Sequence, residues 1–209
     1  MKLLCRFIFK IRFESSKFEF SKEQFGDIKN HGCWLNDSLI LNSDESLSLV
    51  EMTKSNKGIL LYRATRDGFG AKDFHSRCDG KTKTITIIEN NLNYVFGGYA
   101  SESWNSSNRY ISDSNAFVFS LRRDGKSYND KFTINMPAFA LYGNSVSGPS
   151  FGDGLYVCDK SNIRTGSFTN IGFLFNVSVG CYMDENAKNF LSGNYDEWTT
   201  TEIEVYQIC

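Results

Sequence analysis

The sequence predicts a mainly β, α+β domain: a two-sheet antiparallel β-sandwich with short flanking helices. Short apolar segments rich in aromatic and β-branched residues recur between turns, and the chain has 18 Phe and ten Tyr, which favour strands. With only two Pro, the turns depend on the 17 Gly. We find no strand–helix alternation of the kind that builds a parallel sheet, and no repeat of fixed period, so the strands are expected to pair antiparallel.

The chain divides into a predicted N-terminal extension, residues 1–36, and a predicted domain, residues 37–209. Residues 5–13 alternate apolar and basic positions, which predicts a half-buried strand. Residues 14–36 are polar with scattered Phe, and their role stays open between an extra pair of edge strands and the end of a preceding domain.

A helix is predicted from Ser43 or Asp44, either of which can cap its N-terminus, through Lys54. The apolar strand Ile59–Tyr62 follows, and it leads into a charged bend at Arg63–Gly68. Asp67-Gly68 indicates a turn, because Gly adopts positive φ without a Cβ clash.

A short helix is predicted after this bend, ending at Asp79-Gly80. Four residues spaced i, i+3, i+4 and i+7 place one face of that helix in the core. They are Ala71, Phe74, His75 and Cys78.

The remaining elements are mainly strands. Thr84–Glu89 and Tyr94–Tyr99 form a predicted hairpin, in which Gly97-Gly98 indicates a bulge or the close approach of another backbone. Further strands are predicted over Ala116–Leu121, Lys131–Asn135, Phe139–Tyr142, Leu155–Cys158, Ile171–Tyr182 and Thr199–Ile208, and a short helix over Glu185–Leu191.

Composition excludes several classes of protein. The net charge of −1 and the absence of a long basic run argue against nucleic-acid binding, and no apolar run reaches the length of a membrane span. Arg6 and Lys10 interrupt any signal-peptide core. We expect a monomer that binds no metal. The six cysteines are widely spaced without a C-x-x-C motif, so we also expect reduced thiols in a cytoplasmic chain. They are Cys5, Cys33, Cys78, Cys158, Cys181 and Cys209.

Three side chains are candidates for catalysis. His75 and Cys78 are spaced i, i+3, as in a thiolate–imidazolium pair or two metal ligands, but that spacing also suits two core residues, which we favour. Glu204, with Glu202, resembles the carboxylate pair of glycoside hydrolysis. The alternative, in which these charges line a sheet edge or form an ion pair with Arg63 or Arg66, is favoured here.

The segment Gly148–Gly154 contains G-P-S-F-G, which satisfies the nucleophile-elbow pattern only as a string. That motif needs a downstream acid and then a His, and no His follows His75 in the sequence. A turn set by glycines is the preferred interpretation.

Surface binding has two candidate sets. Trp104, in a polar loop with Tyr110, suits a partner-binding anchor or a carbohydrate-binding platform, unless Trp104 covers the core. Charged residues around the bend suit either a docking patch or an internal network that braces the loop, and bracing is favoured. They are Arg63, Arg66, Asp67 and Asp73.

Seven blocks of sequence, in order along the chain, share one resemblance. They are LLYRATRDGF (60–69), FHSRCDG (74–80), TITIIENNLNYVFGGYA (84–100), SWNSS (103–107), NAFVFSL (115–121), GPSFGDGL (148–155) and EIEVYQI (202–208). Together these blocks resemble the TLDc family, found with TBC and LysM modules in eukaryotic oxidation-resistance proteins. The resemblance covers about residues 37–209 and implies a compact β-sandwich with helices. It also implies a role in oxidative-stress resistance through binding the vacuolar-type proton ATPase, with no cofactor or catalytic cycle.

The sequence therefore favours a non-enzymatic protein-interaction domain. The alternative is an antioxidant or hydrolytic enzyme that uses Cys78 with His75, or Glu204. A third hypothesis is a carbohydrate-binding sandwich.

Overall fold

The computed structural model describes residue 35 and residues 37–177 and 185–209. Within these residues the protein is mainly β, with a large antiparallel sheet and few short helices, which confirms the predicted class. The strand predicted over residues 5–13 lies outside the described residues.

The described elements follow one another along the chain as helices, strands and one 3-10 turn. They are α1 (Ser43–Thr53), β1 (Gly58–Arg63), α2 (Ala64–Asp67), α3 (Ala71–Cys78), β2 (Thr84–Asn90), β3 (Val95–Ala100), β4 (Tyr110–Ile111), β5 (Phe117–Arg123), β6 (Lys126–Thr133), the 3-10 turn (Pro137–Phe139), β7 (Leu141–Tyr142), β8 (Ser147–Phe151), β9 (Leu155–Cys158), β10 (Phe168–Thr169), α4 (Ile171–Leu174), α5 (Glu185–Asn189) and β11 (Thr200–Ile208).

The largest sheet has the strand order β1-β11-β2-β3-β5-β6, and every neighbouring pair is antiparallel. Two smaller sheets, β10-β9-β8 and β4-β7, lie beside it in the described part of the chain. The last strand thus pairs between the first two, so the two ends of the described domain meet at one edge of this sheet.

The large sheet is covered on both faces. Because side chains alternate along a strand, Ile85 and Ile87 of β2 point to one face and Ile88 to the other. The first face packs against Leu49 of α1, and the second packs against the small sheets, including Phe151 of β8. This layering determines which side chains can share a site.

Helix α1 is capped by Asn42 instead of the expected Ser43 or Asp44. The Asn42 side chain accepts a hydrogen bond from the Glu45 backbone N–H at 2.9 Å, and the Glu45 carboxylate accepts the Asn42 N–H at 3.0 Å. The same buried carboxylate pairs with Arg122 of β5 at 2.7 Å. The cap therefore also ties α1 to the large sheet.

Gly97 and Gly98 mark a close approach, as predicted. A Cβ on Gly98 would lie 2.6 Å from the ring of Phe151, and one on Gly97 would overlap the Thr86 carbonyl oxygen. The other alternative predicted for Gly97-Gly98 was a bulge. The register shift between β3 and β5 instead falls between Val95 and Phe96. The bare backbone lets the small sheet pack close to the large one.

Two predicted strands differ from the structure. Ile171–Leu174 forms a helical turn, since short apolar runs fit a buried helix as well as a strand. Phe139 belongs to a 3-10 turn begun by Pro137, whose fixed φ suits the first position of such a turn.

Candidate functional site

The charged bend after β1 folds as the single helical turn α2, followed by Gly68 at φ +107°. Asp67 holds it together: its carboxylate accepts the Arg63 N–H at 3.0 Å and pairs with Arg66 at 2.7 Å. The hydrogen bonds from Arg66, and then from the Arg63 backbone, lower the pKa of Asp67 against the opposing effect of burial. The carboxylate is therefore a structural part of the bend.

Glu204 lies in the middle of β11 and is fully buried, at 0% exposure. Its carboxylate accepts hydrogen bonds from Arg63 Nε at 2.8 Å, the Leu39 N–H at 2.9 Å and the Ser38 hydroxyl at 2.6 Å. The ion pair with Arg63, one of the two alternatives read from the sequence, is present. Tyr206 also donates to Glu204 at 3.2 Å, and burial and the carboxylate raise the pKa of that phenol.

Glu202 is engaged in the same way. It accepts from the Thr65 N–H at 3.1 Å, from the Thr65 hydroxyl and from the Ile203 N–H at 2.9 Å. Each carboxylate thus has its own set of donors from the protein. A general acid or base must reach a substrate, and neither carboxylate is open to one.

His75 and Cys78 lie on the buried face of α3 with Ala71 and Phe74, which confirms the predicted helix face. His75 Nδ1 lies 2.7 Å from Asp79 Oδ1. Its Nε2 faces the carbonyl oxygens of Asn144 at 2.8 Å and Ser147 at 3.1 Å. Because carbonyl oxygens only accept, Nε2 carries the hydrogen it donates.

The arrangement does not suit a thiolate–imidazolium pair. Cys78 has no exposed surface, and burial, with the nearby Asp79 charge, raises the pKa of the thiol. Both imidazole nitrogens are already engaged, Nδ1 with the Asp79 carboxylate and Nε2 with the carbonyl oxygens of Asn144 and Ser147. Glu204 lies on the α1 face of the large sheet and Cys78 on the opposite face, so the two do not share a cleft.

No group of three or more His, Cys, Asp or Glu side chains is placed to hold a metal ion within residues 37–177 and 185–209. The Gly148–Gly154 segment forms most of β8 and the turn that leads into β9. The Ser150 hydroxyl is buried and donates to the Gly152 carbonyl at 3.1 Å, so it is part of that turn.

Trp104 packs in the core with only 1% exposure, and the expectation of a Trp104 ring open to a partner or a sugar is wrong. Its Nε1 donates to the Thr84 hydroxyl at 2.8 Å, and the rings of Phe74 and Phe151 contact it edge-to-face, each at 5.4 Å. Burial of this apolar surface outweighs the polar character of the neighbouring loop residues.

The predicted docking patch is mostly internal. The Arg63 side chain is 14% exposed and also donates to the Asp37 carbonyl, while Asp73 accepts the Gly70 N–H at 3.0 Å at the start of α3. Arg66 is the more accessible member, at 46% exposure. Partner binding by Arg63, Arg66 and Asp67 stays a prediction.

A group of aromatic rings at the surface, two of them exposed and one half-buried, was predicted only in part from the sequence. Tyr110 of β4 contacts Phe139 at 5.0 Å and Tyr142 of β7 at 4.9 Å, centroid to centroid, and its hydroxyl donates to Asp153 at 3.4 Å. We call these four residues the aromatic end. Pro137, two residues before Phe139, was the available signal that Phe139 leaves the predicted strand.

Comparison with known proteins gives one positive result. A family model for the TLDc domain matches residues 28–209, and this match begins ahead of the boundary expected at residue 37. A search of curated proteins found no match. None of the helices in the described part of the chain is long and apolar enough to cross a membrane. The match covers most of the sequence, and the chain belongs to the TLDc domain family.

Proposed function

We propose that this protein is a non-enzymatic interaction domain that supports resistance to oxidative stress by binding the vacuolar-type proton ATPase. It would act as a monomer in the cytoplasm. The observation that carries the proposal is the family match over residues 28–209, together with the sequence blocks that resemble oxidation-resistance proteins.

The geometry supports binding over catalysis. The three candidate catalytic side chains, His75, Cys78 and Glu204, are engaged inside the protein and are divided between opposite faces of the large sheet. Removing any one of them is therefore expected to affect stability first.

The direct test mixes the purified full-length chain with the purified soluble sector of the proton ATPase and measures association by light scattering and interferometry. Saturable binding, together with a change in ATP hydrolysis or in sector assembly, is the expected result. Arg66→Glu tests the exposed part of the bend, with Asp124→Asn as a control on a distant turn. The absence of association at low and physiological salt, under both reducing and oxidising conditions, would reject the proposal.

A parallel assay addresses the enzyme alternative. Peroxide consumption and glycoside hydrolysis are measured for the wild type, Cys78→Ser and Glu204→Gln. Turnover that disappears in a variant whose unfolding free energy is unchanged would support an enzyme.

A further inference from the structure

The aromatic end has the chemistry of a binding site for a cation. We propose that Tyr110, Phe139, Tyr142 and Asp153 bind an Arg or Lys side chain presented by a protein partner. The inference rests on the proposed function as an interaction domain and gives the chemical class of the group that this domain recognises.

The first argument is exposure. Tyr110 is 43% and Phe139 is 40% exposed, whereas the aromatic core residues Trp104 and Phe151 have almost no exposed surface. Tyr110 contacts both other rings, edge-to-face with Phe139 at an interplanar angle of 86° and tilted by 52° to Tyr142. Perpendicular rings form a corner in which a flat cation can lie against the electron-rich face of one or both rings.

The second argument is charge. Asp153 is exposed and lies within hydrogen-bond distance of the Tyr110 hydroxyl. Burial, together with the negative charge of Asp153, raises the pKa of Tyr110, so the phenol stays neutral and Asp153 supplies the negative charge of the corner. Ring faces are also electron-rich, so both components attract a cation, and a planar guanidinium can stack and form hydrogen bonds together.

The third argument is rigidity. The residues that flank the rings are fixed by the backbone: the Gly143 N–H donates to the Arg109 carbonyl at 3.0 Å, and the Asn108 N–H donates to the Gly143 carbonyl at 2.7 Å. Gly152, at φ +53°, brings the turn that carries Asp153 against the backbone of Phe139, where a Cβ would overlap the Phe139 carbonyl oxygen. A site with this geometry loses little conformational entropy on binding.

These arguments favour a basic side chain over other occupants. A sugar would need several free hydrogen-bonding groups beside the rings, whereas both phenol hydroxyls are already engaged, that of Tyr110 with Asp153 and that of Tyr142 with the Asn108 carbonyl oxygen at 3.3 Å. An acidic segment would be repelled by Asp153. A second copy of this chain is tested through its oligomeric state.

The test uses aromatic NMR of the full-length protein, titrated with a capped hexa-arginine peptide, with capped hexaglutamate and cellohexaose as alternative probes. We expect saturable shifts of the Tyr110, Phe139 and Tyr142 rings with the arginine peptide only. Asp153→Asn should weaken this binding about 3-fold, as expected for loss of an exposed charge contact. Phe139→Ser should weaken it about 5-fold, through loss of the ring contact.

The matched controls lie elsewhere on the surface. Asp124→Asn removes an exposed carboxylate from the β5–β6 turn, and Ile163→Ser removes a 73% exposed apolar side chain. Both should leave arginine binding unchanged. Equal losses in Asp124→Asn and Asp153→Asn, shifts confined to other residues, equal binding of either alternative probe, or dimerisation through these rings would overturn the inference.

A second measurement separates this inference from the proposed function. If the wild type binds the proton ATPase sector and Asp153→Asn and Phe139→Ser bind it equally well, the inference is overturned and the proposed function stands. If the wild type binds the arginine peptide through the aromatic end but does not bind the ATPase, the proposed function fails and the cation site stands.

Discussion

The bend after β1 and the aromatic end use the same kinds of side chain in opposite ways. Around the bend, the carboxylates are internal: Glu204 of β11 is fully buried, and Asp67 is held by Arg66 and the Arg63 backbone. At the aromatic end, Asp153 and the ring of Tyr110 are exposed, with one 3.4 Å hydrogen bond between them. A charge surrounded by its own partners maintains the fold, whereas a charge beside exposed rings is available to another molecule.

The largest expected effect is a difference in the free energy of unfolding between variants of two aromatic residues that are close in sequence. Trp104→Ala should lower the free energy of unfolding by about 4 kcal/mol, because it empties a core position and leaves the Thr84 hydroxyl without its donor. Tyr110→Ala should lower it by about 1 kcal/mol or less, since that ring is partly solvated already. Urea unfolding followed by circular dichroism measures both, and equal losses would remove the distinction between core and surface.

The next largest effect is expected for Glu204→Gln, which should lower the free energy of unfolding by about 3 kcal/mol, because it leaves Arg63 paired to a neutral group inside the protein. The segment from Ser38 to Leu39 should also loosen, since both residues donate to this carboxylate. Hydrogen exchange at Leu39 reports this loosening. Stability equal to wild type, combined with a lost activity, would instead indicate a catalytic Glu204.

Asp67→Asn should lower the free energy of unfolding by about 1.5 kcal/mol at pH 7, as expected for the loss of hydrogen bonds to a charged group. Since the pKa of Asp67 is lowered in the folded state, its contribution is complete above the unfolded value near 4 and is lost as the pH falls through the folded value. The difference in unfolding free energy between wild type and Asp67→Asn should therefore be constant from pH 7 to about 5 and shrink below about 4. A difference that grows towards acid pH would contradict this role.

The sequence was sufficient for features that follow from local periodicity. The α3 face was predictable because Ala71, Phe74, His75 and Cys78 repeat at helical spacing, and all four are buried. The hairpin of β2 and β3 followed from two β-branched or aromatic segments around a polar turn. In these cases the residues that determine the element are adjacent in the chain.

Contacts between distant segments were harder to predict. The full set of donors to Glu204 depends on the pairing of β1 with β11, which brings Arg63 next to a residue 141 positions later. Phe139 was assigned to a strand, although Pro137 starts a 3-10 turn that leaves its ring exposed. Trp104 is buried in spite of its polar neighbours, because its surroundings come from α3 and β8.

The smallest expected effect on stability is that of Asp153→Asn, which should change the free energy of unfolding by no more than about 0.5 kcal/mol, because the side chain is exposed. Compared with Asp67→Asn, it makes the same chemical change in a group without a buried partner. Urea unfolding of the two variants at pH 7 tests this, with Asp124→Asn as a second exposed control. A loss from Asp153→Asn as large as that from Asp67→Asn would show that Asp153 maintains the fold, so the carboxylate would not be available to a cation.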